Sequence, residues 1–274
     1  MGPDRGRDGV SPGPASGIDY ARQRALDRGQ VETRTLAEAL ALDQAVLMRA
    51  VLPALASDFD PHARLPISRR MAAAGALLQA RLTPDGLEAL CAHPADTVRG
   101  WCAFALAAMP GVDLAQRLRR LRPLADDPHF GVREWAWLAM RPHVADDLDA
   151  AIALLTPWTR ESSSSLRRFA VEATRPRGVW STHLEPLKRE PARGLPLLEP
   201  LRADPARYVQ DAVGNWLNDA AKSQPDWVRA LCARWAAEDP SPAAARICAR
   251  GLRSLRKAAR TDAAARPLRS PRTP

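Results

Sequence analysis

The chain has 274 residues, 46% of them apolar, and a formal net charge of +9. That apolar share can bury a sizeable core, which argues against a largely unstructured chain. No stretch approaches a membrane span, and Cys91, Cys102, Cys232 and Cys248 show neither Cys-x-x-Cys spacing nor a paired framework, so a membrane protein, a disulfide scaffold and a metal site are all disfavoured.

Alanine and leucine dominate, β-branched residues are sparse, and 25 prolines fall mostly where helices would start or stop. This predicts many short helices rather than sheet. Residues 1–17, "MGPDRGRDGVSPGPASG", are rich in Gly, Pro and Ser and have no apolar run. They are expected to be disordered and not a secretion signal, in a soluble, cytoplasmic protein. Residues 35–55, "TLAEALALDQAVLMRAVLPAL", predict one or two amphipathic helices.

From His93 onward a pattern recurs. "HPADTVRGWCAFAL" is followed by "DPHFGVREWAWLAM" from Asp127, "ESSSSLRRFAVEAT" from Glu161, "DPARYVQDAVGNWL" from Asp204 and "DPSPAAARICARGL" from Asp239. Val98, Val132, Leu166 and Val209 stand 34, 34 and 43 residues apart. Self-similarity at this period means stacked helical hairpins, each unable to bury its own apolar face. The Asp-Pro opening reads as a capped helix start, with "Val-Arg-x-x-Ala" beginning the second helix of each pair. The expected fold is all-α, a curved α-solenoid of HEAT-like repeats over residues 18–249. From Arg250 to the end there are eight Lys or Arg and one Asp, so the tail carries +7 and the body about +2. Residues 250–274 are expected to be a basic, disordered tail that either binds nucleic acid non-specifically or keeps a terminus solvated.

A solenoid by itself implies scaffolding, so activity has to be argued from residues that packing does not require. With the Val or Leu of each repeat as zero, Glu134, Glu172 and Asp219 fall at about 200°, 240° and 280° on a helical wheel. Three consecutive repeats thus project an acid into one sector, at heights climbing by about 6 Å per repeat. In residues 209–222, Val209, Ala212, Val213, Trp216 and Ala220 form an apolar stripe. Asp211, Asn215, Asn218, Asp219 and Lys222 form a polar one, facing something wet or something bound.

Plainer readings stand beside these. Glu172 is spaced for surface ion pairs with Arg168 and Arg175, and Asp219 for one with Lys222. Glu134 lies in the apolar run "EWAWLAM" and needs a partner such as Arg141, or a ligand. Trp101, Trp135, Trp137, Trp216 and Trp235 are at core spacing. Trp180, after "TRPRGV" and beside Arg175 and Arg177, is either a loop anchor or a surface on which a base or sugar stacks.

The segments "DPHFGVREWAWLAMRP", "RRFAVEATRPRGVW" and "NWLNDAAKSQPDWV" resemble signature stretches of the AlkC/AlkD HEAT-like-repeat DNA glycosylases and are closer to the AlkC branch. The similarity extends to "RTLAEALALDQAVLMRAVLP" and "ISRRMAAAGALL" and covers roughly residues 30 to 258. The resemblance implies hydrolytic release of cationic alkylated bases, such as 3-methyladenine, from double-stranded DNA. It implies no metal or organic cofactor and no membrane role, and the chain is expected to be a monomer. The family's catalytic acids fall on Glu134, Glu172 and Asp219, and its active-site tryptophan on Trp180.

A cationic purine leaves without being protonated, so the site has to supply negative charge beside the sugar and a positioned water. On this expectation Asp219 stabilises the sugar cation and orients the water. Glu134 and Glu172 line the lesion, Trp180 packs on sugar or base, and Arg99, Arg133, Arg167, Arg168, Arg175, Arg177 and Lys222 contact phosphates, some of these arginines instead bridging repeats. Two departures from the family's pattern bear on this. Arg-Pro-Arg-Gly-Val-Trp replaces Arg-Pro-Arg-Leu-Pro-Trp, so Gly178 is expected to loosen the Trp180 loop. Gln210 and Asp211 stand where the family has a basic pair, which removes cations near the expected DNA face and bears on affinity or on substrate range. The competing expectation is a non-catalytic HEAT scaffold that binds DNA structures or a protein partner.

Overall fold

A computed structural model of the chain describes residues 20–178 and 180–265. Within them every regular element is helical. In chain order the helices are α1 (Tyr20–Asp27), α2 (Leu36–Ala41), α3 (Gln44–Val51), α4 (Ala56–Phe59), α5 (Ile67–Arg81) and α6 (Pro84–Cys91). Then come α7 (Asp96–Ala107), α8 (Leu114–Ala125), α9 (Phe130–Asp146), α10 (Leu148–Leu155), α11 (Ser164–Glu172) and α12 (Glu185–Arg189). The last are α13 (Leu195–Leu198), α14 (Arg207–Ala221), α15 (Pro225–Glu238), α16 (Pro242–Gly251) and α17 (Arg253–Ala265). The 35–55 segment divides into α2 and α3 because two side chains cap helix starts within it. Thr35 accepts the Glu38 N–H, and Asp43 accepts those of Ala45 and Val46.

The solenoid expectation holds. The second helices α5, α7, α9, α11, α14 and α16 pack side by side in that order as one layer, with α6, α8, α10 and α15 against them. The tryptophans expected in the core are there. Trp101, Trp216 and Trp235 are fully buried, and Trp135 and Trp137 nearly so. The layer is tight where α7 meets α9. A Cβ on Gly100 would come within 2.6 Å of Trp135, so only glycine lets the two helices approach this closely.

What joins one repeat to the next differs from the expected capping. The Asp-Pro dipeptide is not the helix cap; α9, for example, is capped by His129. Asp127 instead accepts the backbone N–H of His129 and receives both Nε and Nη2 of Arg99 from the preceding second helix, at 2.8 and 3.1 Å. Arg167 and Asp204 repeat the arrangement at 2.6 and 3.1 Å, with Asp204 accepting the Ala206 N–H. Each of these arginines, and Arg133, also donates to the two carbonyls five and six residues before it. The arginine of "Val-Arg-x-x-Ala" therefore closes its own inter-helix turn and, in two repeats, clamps the next.

The structure moves the expected boundary at residue 250. Helix α16 runs through it, and α17 follows at Arg253, with Leu252 and Leu255 packed on the core. Residues 250–265 are thus a docked part of the solenoid. The expected disorder of residues 1–17 and of the tail's last stretch lies outside the described residues. No helix among those described is long and apolar enough to cross a membrane.

Arg167→Ala leaves Asp204, which is buried, without its cation. Removing one partner of a buried pair costs about 3–5 kcal/mol, and the denaturant midpoint is expected to fall accordingly at unchanged slope. A loss below about 1 kcal/mol would mean that the bridge does not hold the repeats together.

Candidate active site

Glu134 sits in the first turns of α9, Glu172 ends α11, and Asp219 lies in the last turn of α14. Their shared helical phase brings them into one row, and the row is continuous. Arg168 Nη2 bridges Glu134 Oε1 at 2.5 Å and Glu172 Oε1 at 3.3 Å. Arg175 bridges Glu172 Oε2 at 3.2 Å and Asp219 Oδ2, the latter with both Nε (2.9 Å) and Nη2 (2.7 Å). Lys222 Nζ closes the far end on Asp219 Oδ1 at 3.2 Å. The result is a ladder of alternating charge across three repeats, Glu134–Arg168–Glu172–Arg175–Asp219–Lys222. The spacing had offered either a local ion pair or a shared site for Glu172 and Asp219; the structure gives ion pairs that are also shared between repeats.

Burial grades the ladder. Glu172 and Asp219 are each 2% exposed, whereas the Glu134 side chain is 32% exposed and that of Lys222 44%. Burial pushes the Glu172 carboxyl above its ordinary range, and the nearby Glu134 adds to this, while Arg168 and Arg175 pull the other way. Burial also opposes the charge on Arg175, but Glu172 and Asp219 outweigh it and hold the guanidinium firmly protonated.

Glu134 does not pair with Arg141. Its second oxygen accepts the indole N–H of Trp137 at 2.8 Å, and its cation is Arg168. Arg141 is 2% exposed and serves the Trp180 loop. It donates to the carbonyl of Ala173 at 3.0 Å, to that of Arg175 at 2.5 Å and to that of Thr182 at 3.2 Å. Burial, with the like charge of Arg175, lowers its pKa to about 10. Gly178 belongs to the same clasp. A Cβ there would collide with Ser181 Oγ and meet the Arg141 guanidinium at 3.4 Å, so the glycine lets the loop fold tightly where loosening was expected. Trp180 is held at φ 60°, a conformation costly for an aromatic residue, and is 44% exposed. Its ring stacks on Trp135 at 6.2 Å between centroids and 18° between planes, and it borders an open cleft of about 870 Å³ with Phe104, Arg141 and His183. The stack on Trp135 anchors the indole, and its remaining surface is open to the cleft.

The seven cations expected on phosphates divide sharply. Arg99 and Arg167 are committed to the inter-repeat clamps, which answers their expected phosphate role with a structural one. Arg133 donates to two carbonyls and to the Tyr208 hydroxyl. Arg168 and Arg175 are rungs of the ladder. Arg177 donates to Ser223 Oγ at 2.8 Å. Only Lys222 combines ladder membership with an exposed head group. The departures at Gln210 and Asp211 are absorbed structurally, since Gln210 donates to the Asp204 carbonyl and Asp211 pairs with Arg246 and Arg250 of α16.

Sequence reasoning missed Tyr208. Its ring lies under Arg133 at 5.2 Å and under Arg168 at 4.4 Å, fixing the guanidinium that joins Glu134 to Glu172. The only signal was its rarity, one of two tyrosines in the chain, beside the arginine of a repeat. Among the described residues no group of three or more His, Cys, Asp or Glu is arranged to hold a metal ion.

Comparison with known proteins points the same way. Residues 116–248 match the family model described as DNA alkylation repair enzyme, so the match contains all three acids and Trp180. The protein YhaZ of Bacillus subtilis (strain 168), of uncharacterized function, is 36% identical over 102 residues, which are 37% of this chain and 29% of that protein. The alkylpurine DNA glycosylase AlkC of Pseudomonas fluorescens, solved bound to DNA containing an abasic site analogue, is similar at 29% identity and a TM-score of 0.57, over 78% of this chain and 61% of that one. The chain thus spans less than a third of the first relative and about three fifths of the second.

The Arg175–Asp219 rung gives a direct test of the ladder. In a double-mutant cycle of Arg175→Met and Asp219→Asn the coupling is expected near the upper end of the 0.5–3 kcal/mol range for residues in contact. Additivity within about 0.5 kcal/mol would show the rung to be energetically empty.

Proposed function

We propose, because residues 116–248 match the family model described as DNA alkylation repair enzyme, that the chain is a DNA glycosylase that releases cationic alkylated bases from duplex DNA by hydrolysis of the N-glycosidic bond. One observation carries the reading. Carboxylates from three successive repeats lie in a single bridged row, and the loop that follows Glu172 presents a half-exposed tryptophan stacked on Trp135, the neighbour of Glu134. A scaffold needs arginine clamps between repeats, and it has them elsewhere, in Arg99–Asp127 and Arg167–Asp204. It does not need a second row of acids.

The chemistry follows from charge. N3- or N7-alkylation already makes the purine a good leaving group, so no general acid is required. The barrier lies in the positive charge that develops on the deoxyribose as the bond breaks, and a fixed anion beside C1′ lowers it, as in glycoside hydrolysis without the acid half. Asp219 takes this role. Its Oδ2 is fixed by two Arg175 contacts, while Oδ1, among the described residues, is held by the exposed Lys222 alone. A phosphate that draws Lys222 away frees Oδ1 for the sugar and for an attacking water, with Arg175 holding the carboxylate in place. Glu172 keeps Arg175 in position from the other side, and Glu134, the more exposed acid, faces the cationic base. Trp180 packs against sugar or base on its Trp135 floor.

Incubation of a methylated duplex with the wild type is expected to release free 3-methyladenine. Asp219→Asn and Glu172→Gln should each slow release by on the order of a hundredfold or more, the usual loss for one positioned electrostatic group. Equal release by all three proteins would remove these roles. Binding of the duplex without any release would favour the scaffold, which the burial and pairing of Glu172 and Asp219 also suit.

The raised pKa of Glu172 sets the sign of the pH dependence. The ionised carboxylate is the working form, and burial shifts its protonation upward. Release is therefore expected to fall as pH drops through a value above the ordinary carboxylate range, at pH values where an exposed Glu is still ionised. Glu172→Gln should abolish that acid limb. A wild-type profile flat down to the ordinary carboxylate range would contradict the assignment.

A further inference from the structure

The ladder and the clamps leave a question of electrostatics. A protein that holds duplex DNA needs cations free to replace condensed counterions. The arginines nearest the acids are not free: Arg99, Arg133, Arg167, Arg168 and Arg175 all donate to protein acceptors. The body's own excess charge is small. The cations have to come from somewhere else on the molecule.

Helix α17 carries them. Arg253, Arg256, Lys257 and Arg260 stand at i, i+3, i+4 and i+7, which puts all four on one helical face. All four are exposed. Among the described residues none of Arg256, Lys257 and Arg260 has an acidic partner, and Arg253 donates to a neutral one, Asn215 Oδ1, at 2.8 Å. From Arg253 to Arg260 the stripe rises about 10 Å, close to three steps of about 3.4 Å along one DNA strand.

The helix is also fixed in place beside the acids. Asn218 Oδ1 accepts both the backbone N–H and the hydroxyl of Ser254, at 3.1 and 2.9 Å, and Asn218 immediately precedes Asp219. Asn215 receives Arg250 at 3.0 Å from the end of α16. The two asparagines of the polar stripe are therefore docking points for the C-terminal helix. Arg253, the first residue of the basic stripe, lies within the electrostatic field of Asp219 and Arg175. The apolar residues at the start of this segment, Leu252 and Leu255, are spent on the core, which leaves the stripe a cationic surface without the apolar face that a lipid surface would require.

We propose that the exposed face of α17, formed by Arg253, Arg256, Lys257 and Arg260, is the phosphate-tracking surface of the protein and holds the sugar-phosphate backbone of duplex DNA beside Asp219. The proposal rests on DNA being the substrate, but it concerns binding rather than bond cleavage. The lysine at the end of the ladder, Lys222, would continue the track toward the acids.

The test is the salt dependence of binding to an undamaged duplex, read by fluorescence anisotropy on the full chain. The triple variant Arg256→Ala, Lys257→Ala and Arg260→Ala removes charge with the best helix former, and its thermal melt checks the fold. Each lost phosphate contact is expected to flatten the plot of log K against log salt by about 0.9, so the slope should drop by nearly three and affinity at moderate salt by more than tenfold. The double variant Arg256→Lys and Arg260→Lys keeps the charge and should keep the wild-type slope. A folded triple variant with the wild-type slope overturns the proposal. So does a wild type that prefers phosphatidylserine vesicles to duplex, or one that shows no salt-dependent DNA binding. Base release from methylated duplex is scored separately. Release with no change in slope sinks the α17 surface alone, and a lost slope without wild-type release sinks the glycosylase reading alone.

Discussion

A carboxylate taken out of water has to be answered by a cation, and in this chain that demand organises the scaffold and the candidate site alike. Asp127 and Asp204 are withdrawn into the seams between repeats and are met there by Arg99 and Arg167 from the preceding second helix. Glu172 and Asp219 are withdrawn into the layer of second helices and are met by Arg168 and Arg175. The first set ends at a backbone turn and serves packing. The second continues from repeat to repeat and ends on an exposed lysine, Lys222. That open end makes the second set suitable for a ligand.

The same constraint explains why the loop of Trp180 is so firmly held. Among the described residues no carboxylate lies within bonding distance of the buried Arg141, and it answers its own desolvation with the carbonyls of the turn that follows Glu172. A strained tryptophan backbone persists because this turn, the tight approach of Ser181 over Gly178 and the Trp135 ring all determine it together. The positions of the acids and of the tryptophan are thus coupled through the short stretch from Glu172 to Thr182.

Much of the architecture was legible in the sequence, for identifiable reasons. The repeat was visible because "Val-Arg-x-x-Ala" recurs at a hairpin's length, and the row of acids because a helix turns a residue count into a direction. The partners were not visible. Arg99 to Asp127 and Arg175 to Asp219 span 28 and 44 residues, and the period of a helix says nothing about which loop lies across a seam. The asparagines of α14 read as part of a stripe facing something wet or something bound and prove to be docking points for α16 and α17, because a segment as polar as "RSLRKAARTDAAA" reads from composition as a basic tail with no packing role. The tightening at Gly178 was hidden because its cause, Ser181 Oγ, lies across a loop whose path the sequence does not specify.

On the function proposed above, Asp219 is held in place by Arg175 and freed toward a sugar when Lys222 is drawn off. The most direct measurement is a crystal structure of the chain bound to a duplex in which a cationic pyrrolidine replaces the deoxyribose of the lesion. Asp219 Oδ1 is expected within hydrogen-bonding distance of the ring nitrogen, with Arg175 still on Oδ2 and Lys222 turned to a phosphate. A pyrrolidine bound away from the row, with the Lys222–Asp219 contact intact, would contradict it.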